Sequence, residues 1–195
     1  MINNLEGKKI ISLDFEGNGQ KEPDIVEIGI STIINLKKIG DHKSWLLKPE
    51  NKITWQATKI HGIKNSDVEN CKSFEDIKNE FYDEIKDSYV ISHNSIVEIN
   101  ILSRKLPSFI PLGVIDTLKI SRKILNNNID SHSLDSLIKY FQLEPKINSY
   151  IKSHSHRAEY DAIATGLVFL ELYKLDYTKL MSLVKTNKQT QLKLF

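Results

Sequence analysis

Two runs rich in Ile and Val, Lys8 to Asp14 and Ile25 to Ile34, stand on either side of Gly17, Asn18, Gly19 and Pro23. β-Branched residues suit a pleated surface and the Gly/Asn/Pro cluster suits a reversal, so the pair reads as two strands joined by a turn. Trp45, Leu46 and Leu47, before Pro49, suggest a third strand. Ser73 to Ile85 then places Phe74, Ile77, Phe81 and Ile85 at helical spacing, with Ser73 and Asp76 resembling a capping box. Tyr89 to Ser92 reads as a short buried strand, Asn94 to Leu106 as a helix stopped by Pro107, and Val114-Ile115 as a further strand. Thr117 to Leu125, Ser133 to Phe141, Ala158 to Leu175 and Tyr177 to Val184 read as helices, with Asn126 to Asn128 and Glu144 to Ser155 as polar connections. Early strands followed by strand and helix alternation imply an α/β fold with a mixed central β-sheet flanked by helices.

A chain of 195 residues, 40% hydrophobic, has the size of one domain with a substantial core. We expect that domain over 1–185 and a flexible tail over 186–195. The single Cys71 excludes an intramolecular disulfide, and the start lacks the basic-then-apolar layout of a signal peptide, so a cytoplasmic setting is expected. Ala162 to Tyr173, the most apolar stretch, is interrupted by Thr165, Gly166 and Glu171 and is too short to span a bilayer, so no membrane partner is expected. A net charge of +2 neither requires nor excludes a phosphate-rich partner.

The carboxylates are more informative. Asp14 and Glu16 end the first strand, and period-two alternation puts both on one face. Such a pair repels itself unless a cation holds it, although an ordinary exposed strand end would also tolerate it. Asp161 shares a helical face with Ala158, Ala162, Thr165, Phe169 and Leu172, the face that turns inward. A carboxylate there needs compensation, by a basic side chain or by a metal. His156, five residues earlier, can approach the same place, and imidazole is the side chain best suited to accept a proton near neutral pH. Glu98 falls one turn into the helix after His93-Asn94, where it would ordinarily be a solvated surface residue.

Taken together, Ile10-Ile11-Ser12-Leu13-Asp14-Phe15-Glu16, Ile25-Val26-Glu27-Ile28-Gly29, His61-Gly62-Ile63, His93-Asn94, Asp116-Thr117-Leu118 and His156-Arg157-Ala158 with Asp161-Ala162 resemble the DEDDh exonuclease family. The resemblance runs from about Lys8 to Tyr173 and rests on six landmarks in order. It implies a ribonuclease H-like fold, with Asp14, Glu16, Glu98 and Asp161 as metal ligands and His156 as general base. It further implies substrate or supporting contacts from His61, His93 and Asn94, each of which would equally suit a turn or cap. Two departures stand out. Glu98 occupies a position where the family usually has Asp, and Gly17-Asn18-Gly19 replaces the usual Thr-Thr-Gly, leaving the backbone of Phe15 and Gly17 to contact the terminal nucleotide.

The chemistry is consistent with this. Phosphodiester hydrolysis needs a nucleophile made from water, neutralised phosphate charge and support for a leaving 3′ oxygen, and two divalent ions in a carboxylate cage supply all three. All-oxygen ligation suits Mg²⁺ or Mn²⁺. The expected activity is 3′→5′ exonucleolytic hydrolysis of DNA with a free 3′ end, in proofreading, repair or end processing. RNA trimming, or a catalytically weak nucleic-acid-binding subunit, would be the alternatives.

The tail carries a separate signal. Gln191-Leu192-Lys193-Leu194-Phe195 follows a polar run, and exposed Leu and Phe there are unexplained unless something covers them. The segment resembles the short motif with which bacterial replication and repair proteins dock on the sliding clamp. Gln191, Leu192, Leu194 and Phe195 would be the contacts, unless the segment folds back onto its own domain.

Overall fold

The structure is a computed structural model that describes residues 5–186. Six strands, β1 (Lys9–Gly17), β2 (Ile25–Ile34), β3 (Lys38–Leu46), β4 (Ser88–Ser92), β5 (Gly113–Asp116) and β6 (Lys185–Thr186), form one sheet in the order β3-β2-β1-β4-β5-β6. The β3-β2-β1 half is antiparallel, β4 and β5 continue parallel to β1, and β6 closes the far edge antiparallel to β5. The helices are α1 (Trp55–His61), α2 (Asn65–Val68), α3 (Phe74–Ile85), α4 (Ile96–Lys105), α5 (Thr117–Leu125), α6 (Leu134–Tyr140), α7 (Glu144–Asn148), α8 (Ala158–Leu175) and α9 (Tyr177–Leu183). This is the mixed, helix-flanked sheet expected from the sequence.

The two faces of the sheet bury different things. Ile11, Leu13 and Phe15 of β1 join Ile28 and Ile30 of β2 and Val90 of β4 in a core with Phe74, Ile77, Phe81 and Ile85 of α3. The predicted capping box starts α3: the Ser73 N–H donates to Asp76 at 2.8 Å while Ser73 Oγ accepts the Asp76 N–H at 3.3 Å. On the opposite face, Ile10, Ile91 and Ile115 pack with α8, whose Ala158 and Tyr160 to Leu170 are all buried. A helix apolar all round must be covered on both sides. Here the sheet covers one side, and Ile120, Leu125, Leu137, Ile138 and Leu180 from α5, α6 and α9 join the same core.

Several local expectations are corrected. β3 begins at Lys38 rather than Trp45; its polar residues hide it because it is an edge strand. The first strand continues past Asp14 to Gly17, where a bulge interrupts the pairing with β2. α1 and α2 were not expected, and the connection from Glu144 to Ser155 contains α7, which buries Ile147. Thr186 pairs with Gly113 at the far edge of the sheet. Gln191, Leu192, Leu194 and Phe195 lie outside the described residues. Among the described residues, no helix is long and apolar enough to cross a membrane.

Candidate active site

Alternation along β1 sends Leu13 and Phe15 to the α3 face and turns Asp14 and Glu16 toward α8. β1 runs parallel to β4, so the helix that follows β4 brings Glu98 to the same end of the sheet. Asp161 comes from the start of α8. Glu16, His156 and Asp161 each present a donor atom within 4.8 Å of the others. Asp14 and Glu98 fall outside that tight trio but within electrostatic reach: the charges of Asp161, Glu98, Glu16 and Glu27 all act on Asp14.

The electrostatic cost of this arrangement is high. Burial, then the surrounding carboxylates, hold Asp14 well above the usual carboxylate range. Burial, with Asp161 and Glu27 adding, pushes Glu16 up to about 8 against the pull of Arg157. Glu98 is pushed up to about 8 chiefly by burial, and its Oε2 has no hydrogen-bond partner among the described residues. Asp161 rises to about 7 through burial, although the His156 N–H donates to its Oδ2 at 3.0 Å. Buried carboxylates that repel one another and include an unbonded oxygen are the donor set a hard divalent cation requires. The residues present therefore fit such an ion.

His156 is exposed and its backbone is left-handed, at φ 62°. Its position is fixed on both sides. Asp161 accepts its N–H, and the next residue, Arg157, is held by Glu27 of β2 at 2.5 and 3.0 Å. Gly29 is needed on the same strand because a Cβ there would fall inside the Ala158 carbonyl. Glu27 and Arg157 appear in the sequence motifs, but their pairing links positions 130 residues apart, and no local pattern announces it.

The other expected contacts divide. His61 is 2% exposed, and both ring nitrogens are engaged: Nδ1 accepts the Ile63 N–H at 3.0 Å and Nε2 faces the Gly17 carbonyl at 3.3 Å. It braces the end of β1. His93, lowered to about 4 mainly by burial, pairs through Nδ1 with Thr117 Oγ1 at 3.0 Å, while Asn94 is exposed at φ 69°. The Phe15 ring is in the core against Phe81, so only its backbone could face a ligand. Asn18, within the departure from Thr-Thr-Gly, is fully buried and knits the turn. Its Oδ1 accepts the Gln20 and Asp24 N–H groups, and its Nδ2 donates to the Asn51 carbonyl at 3.2 Å.

A mixed sheet whose central strand end gathers acidic side chains from β1, α4 and α8, with a histidine beside them, defines a nuclease of the metal-dependent class. The chain belongs to the exonuclease family: the family model described as Exonuclease (RNase_T) matches residues 11–169. It is 30% identical over 189 residues to the DNA polymerase III subunit epsilon of Buchnera aphidicola from Schizaphis graminum, covering 89% of this chain and 76% of that protein. It is 31% identical over 185 residues to the PolC-type DNA polymerase III of Thermotoga maritima, covering 90% of this chain but 13% of that much longer protein. Among solved structures, Exonuclease X in complex with 5′ overhanging duplex DNA is 26% identical with a TM-score of 0.69, covering 92% of this chain and 96% of that one. The nuclease domain of 3′hExo, a DEDDh family member, shares the fold at 13% identity with a TM-score of 0.67, covering 86% of this chain and 92% of that one. The protein is a hydrolytic 3′→5′ exonuclease of ribonuclease H-like fold.

Proposed function

We propose that this exonuclease removes nucleotides from the 3′ end of DNA, with Asp14, Glu16, Glu98 and Asp161 as ligands of two Mg²⁺ or Mn²⁺ ions and His156 as general base. The observation that carries the reading is the convergence of the carboxyls, all held above their ordinary range by burial, with Asp14 and Glu16 raised further by the neighbouring acids. Bound divalent ions would neutralise that cluster and the phosphate and favour ionisation of a water. His156 then takes the proton as the water oxygen bonds to the terminal phosphorus and the bond to the neighbouring 3′ oxygen breaks. Asp161 has two duties, because the same carboxyl group that offers a ligand atom also holds the His156 backbone. Glu98, one methylene longer than aspartate, reaches the cluster from the first turn of α4, where Ile96 and Val97 remain 59% and 44% exposed.

DNA is favoured as substrate by the relatedness to polymerase III subunits and to Exonuclease X, and a cytoplasmic setting fits the single cysteine. The decisive test is digestion of 3′-end and 5′-end labelled single-stranded DNA and RNA, side by side, in Mg²⁺, Mn²⁺ and EDTA. Stepwise shortening of DNA from the 3′ end, abolished by EDTA, is expected. Faster loss of RNA would make the chain an RNA-trimming enzyme. Metal-saturated protein that binds either strand without cutting it would make it a binding subunit.

The tail is a second part of the proposal. Leu192, Leu194 and Phe195 would fill an apolar groove of a sliding clamp, each contributing about 1.5–3 kcal/mol before ordering costs. Removal of residues 191–195 should leave digestion of short oligonucleotides unchanged and abolish clamp binding in a titration. Equal binding by both forms would refute docking through this segment.

A further inference from the structure

Glu27 is 3% exposed near the start of β2, yet nothing in the proposed chemistry uses it. One of its oxygens receives Arg157 Nη2 at 2.5 Å; the other receives Arg157 Nε at 3.0 Å and the Ala158 N–H at 2.9 Å. A carboxylate matched to both sides of a guanidinium fork fixes its orientation as well as its distance. α8 has no side-chain cap at Arg157, so Glu27 supplies from the sheet the acceptor that a local Ser or Asp would ordinarily offer a helix start.

The pair sits at the site itself. Glu27 lies opposite Glu16 in the β1–β2 ladder, and Arg157 is covalently next to His156. His156 occupies a left-handed conformation at φ 62° that a β-carbon disfavours, and both of its ends are held. Asp161 holds one end through the His156 N–H, and Glu27 holds the other through Arg157 and Ala158.

We propose that Glu27 and Arg157 form a positioning pair that locks the His156 imidazole beside Glu16 and Asp161 while touching neither water nor substrate. The inference rests on the reading of His156 as general base. Released from Glu27, the 156–157 backbone relaxes toward commoner conformations and the imidazole moves off its line to the attacking water. A misplacement of about 1 Å in such a group can cost about 10²-fold in rate.

A double-mutant cycle in the full chain separates this role from a merely structural one. Steady-state digestion of 3′-labelled single-stranded DNA in saturating Mg²⁺ is measured for wild type, Arg157→Gln, Arg157→Lys, Glu27→Gln, His156→Ala and Arg157→Gln with His156→Ala. Thermal midpoints are taken in the same buffer. Arg157→Gln should lower kcat about 10- to 100-fold with KM within threefold, and Arg157→Lys should recover part of that, since an ammonium cannot bridge both oxygens. In the His156→Ala background the same change should cost less than threefold, because no base is left to position. An equal loss in both backgrounds, or a change confined to KM, overturns the proposal. Should Glu27→Gln fail to fold, the cycle through the partly exposed Arg157 decides alone. Wild-type rate in His156→Ala would instead overturn the base assignment beneath it.

Discussion

Asp24 and Asp14 lie on the same small stretch of backbone around the β1–β2 turn, and the fold treats their charges in opposite ways. Asp24 is 7% exposed but surrounded by donors: Lys105 Nζ at 3.0 Å, the backbone and side chain of Asn51 at 3.2 Å each, and Asn18 at 3.4 Å. Burial alone would raise it, but these hydrogen bonds outweigh burial and hold it below the usual range. Asp14 has carboxylates around it instead and is held well above that range. Glu27, like Asp24, is buried among donors, here Arg157 and the Ala158 N–H, whereas Glu98 leaves its Oε2 without a hydrogen-bond partner among the described residues. Burial acts on acids of both kinds; what sets Asp24 apart is a set of donors that outweighs it, where Asp14 meets further carboxylates.

The sharpest way to break the contrast is to remove one acid of each kind. Asp14→Ala should reduce digestion of 3′-labelled DNA in Mg²⁺ to background, a loss of about 10⁴-fold or more, because the ion loses a ligand. Its thermal midpoint in EDTA should be unchanged or raised, since an acid crowded by other carboxylates is gone. Asp161→Ala should share the catalytic loss but also frees the His156 N–H, so its midpoint should rise less. Normal digestion by Asp14→Ala would show that the site is elsewhere. Removing the proposed base, by His156→Ala, should lower kcat by about 10²–10⁴-fold while Mg²⁺ affinity stays near normal. A mutant that loses affinity for Mg²⁺ would make the imidazole a ligand, as its place within 4.8 Å of Glu16 and Asp161 permits.

Asp24→Ala should behave in the opposite sense. It strands the Asn18 and Asn51 donors and Lys105, so denaturant unfolding should show a loss of about 1–3 kcal/mol. The folded fraction should retain its rate within a few-fold. A rate loss as deep as that of Asp14→Ala would erase the distinction between the two acids.

The gentlest probe is pH. Asp14, Glu16, Glu98 and Asp161 have higher pKa values folded than unfolded, so the folded chain holds extra protons over that interval. Their contribution is full near pH 4 and is lost as pH rises through about 7 for Asp161 and about 8 for Glu16 and Glu98. Asp24 works the other way, adding stability above its unfolded value and losing it in acid. The thermal midpoint in EDTA should therefore fall between about pH 5 and pH 8.5, and Mg²⁺ should flatten the decline. A midpoint equally steep with and without Mg²⁺ would separate the acids from the ion.

The sequence disclosed the strands whose residues face cores and the helices with one clear apolar stripe, such as α3 with Phe74, Ile77, Phe81 and Ile85. It hid elements that bury little. β3 exposes much of its Lys38 to Ser44 stretch, α1 buries only Ala57 and His61, and α7 only Ile147. Within the candidate site, the four acids and His156 could be singled out because their order matches a family pattern, and the structure brings Glu16, His156 and Asp161 within 4.8 Å of one another. The Glu27–Arg157 clamp and the Asn18–Asp24–Asn51 turn were not, since each joins residues from separate segments whose individual types are unremarkable.

The docking of α8 on β2, through Gly29 against Ala158 and Ser31 Oγ on the Ala162 carbonyl, also sets a timetable. Asp14, Glu16 and Glu98 leave the ribosome early, whereas Asp161 and His156 arrive with the segment made after β5. A nascent chain that has emerged only through β5 lacks both His156 and Asp161. On the proposed roles of these two residues, hydrolysis would await the synthesis and seating of α8, with chain connectivity itself as the safeguard.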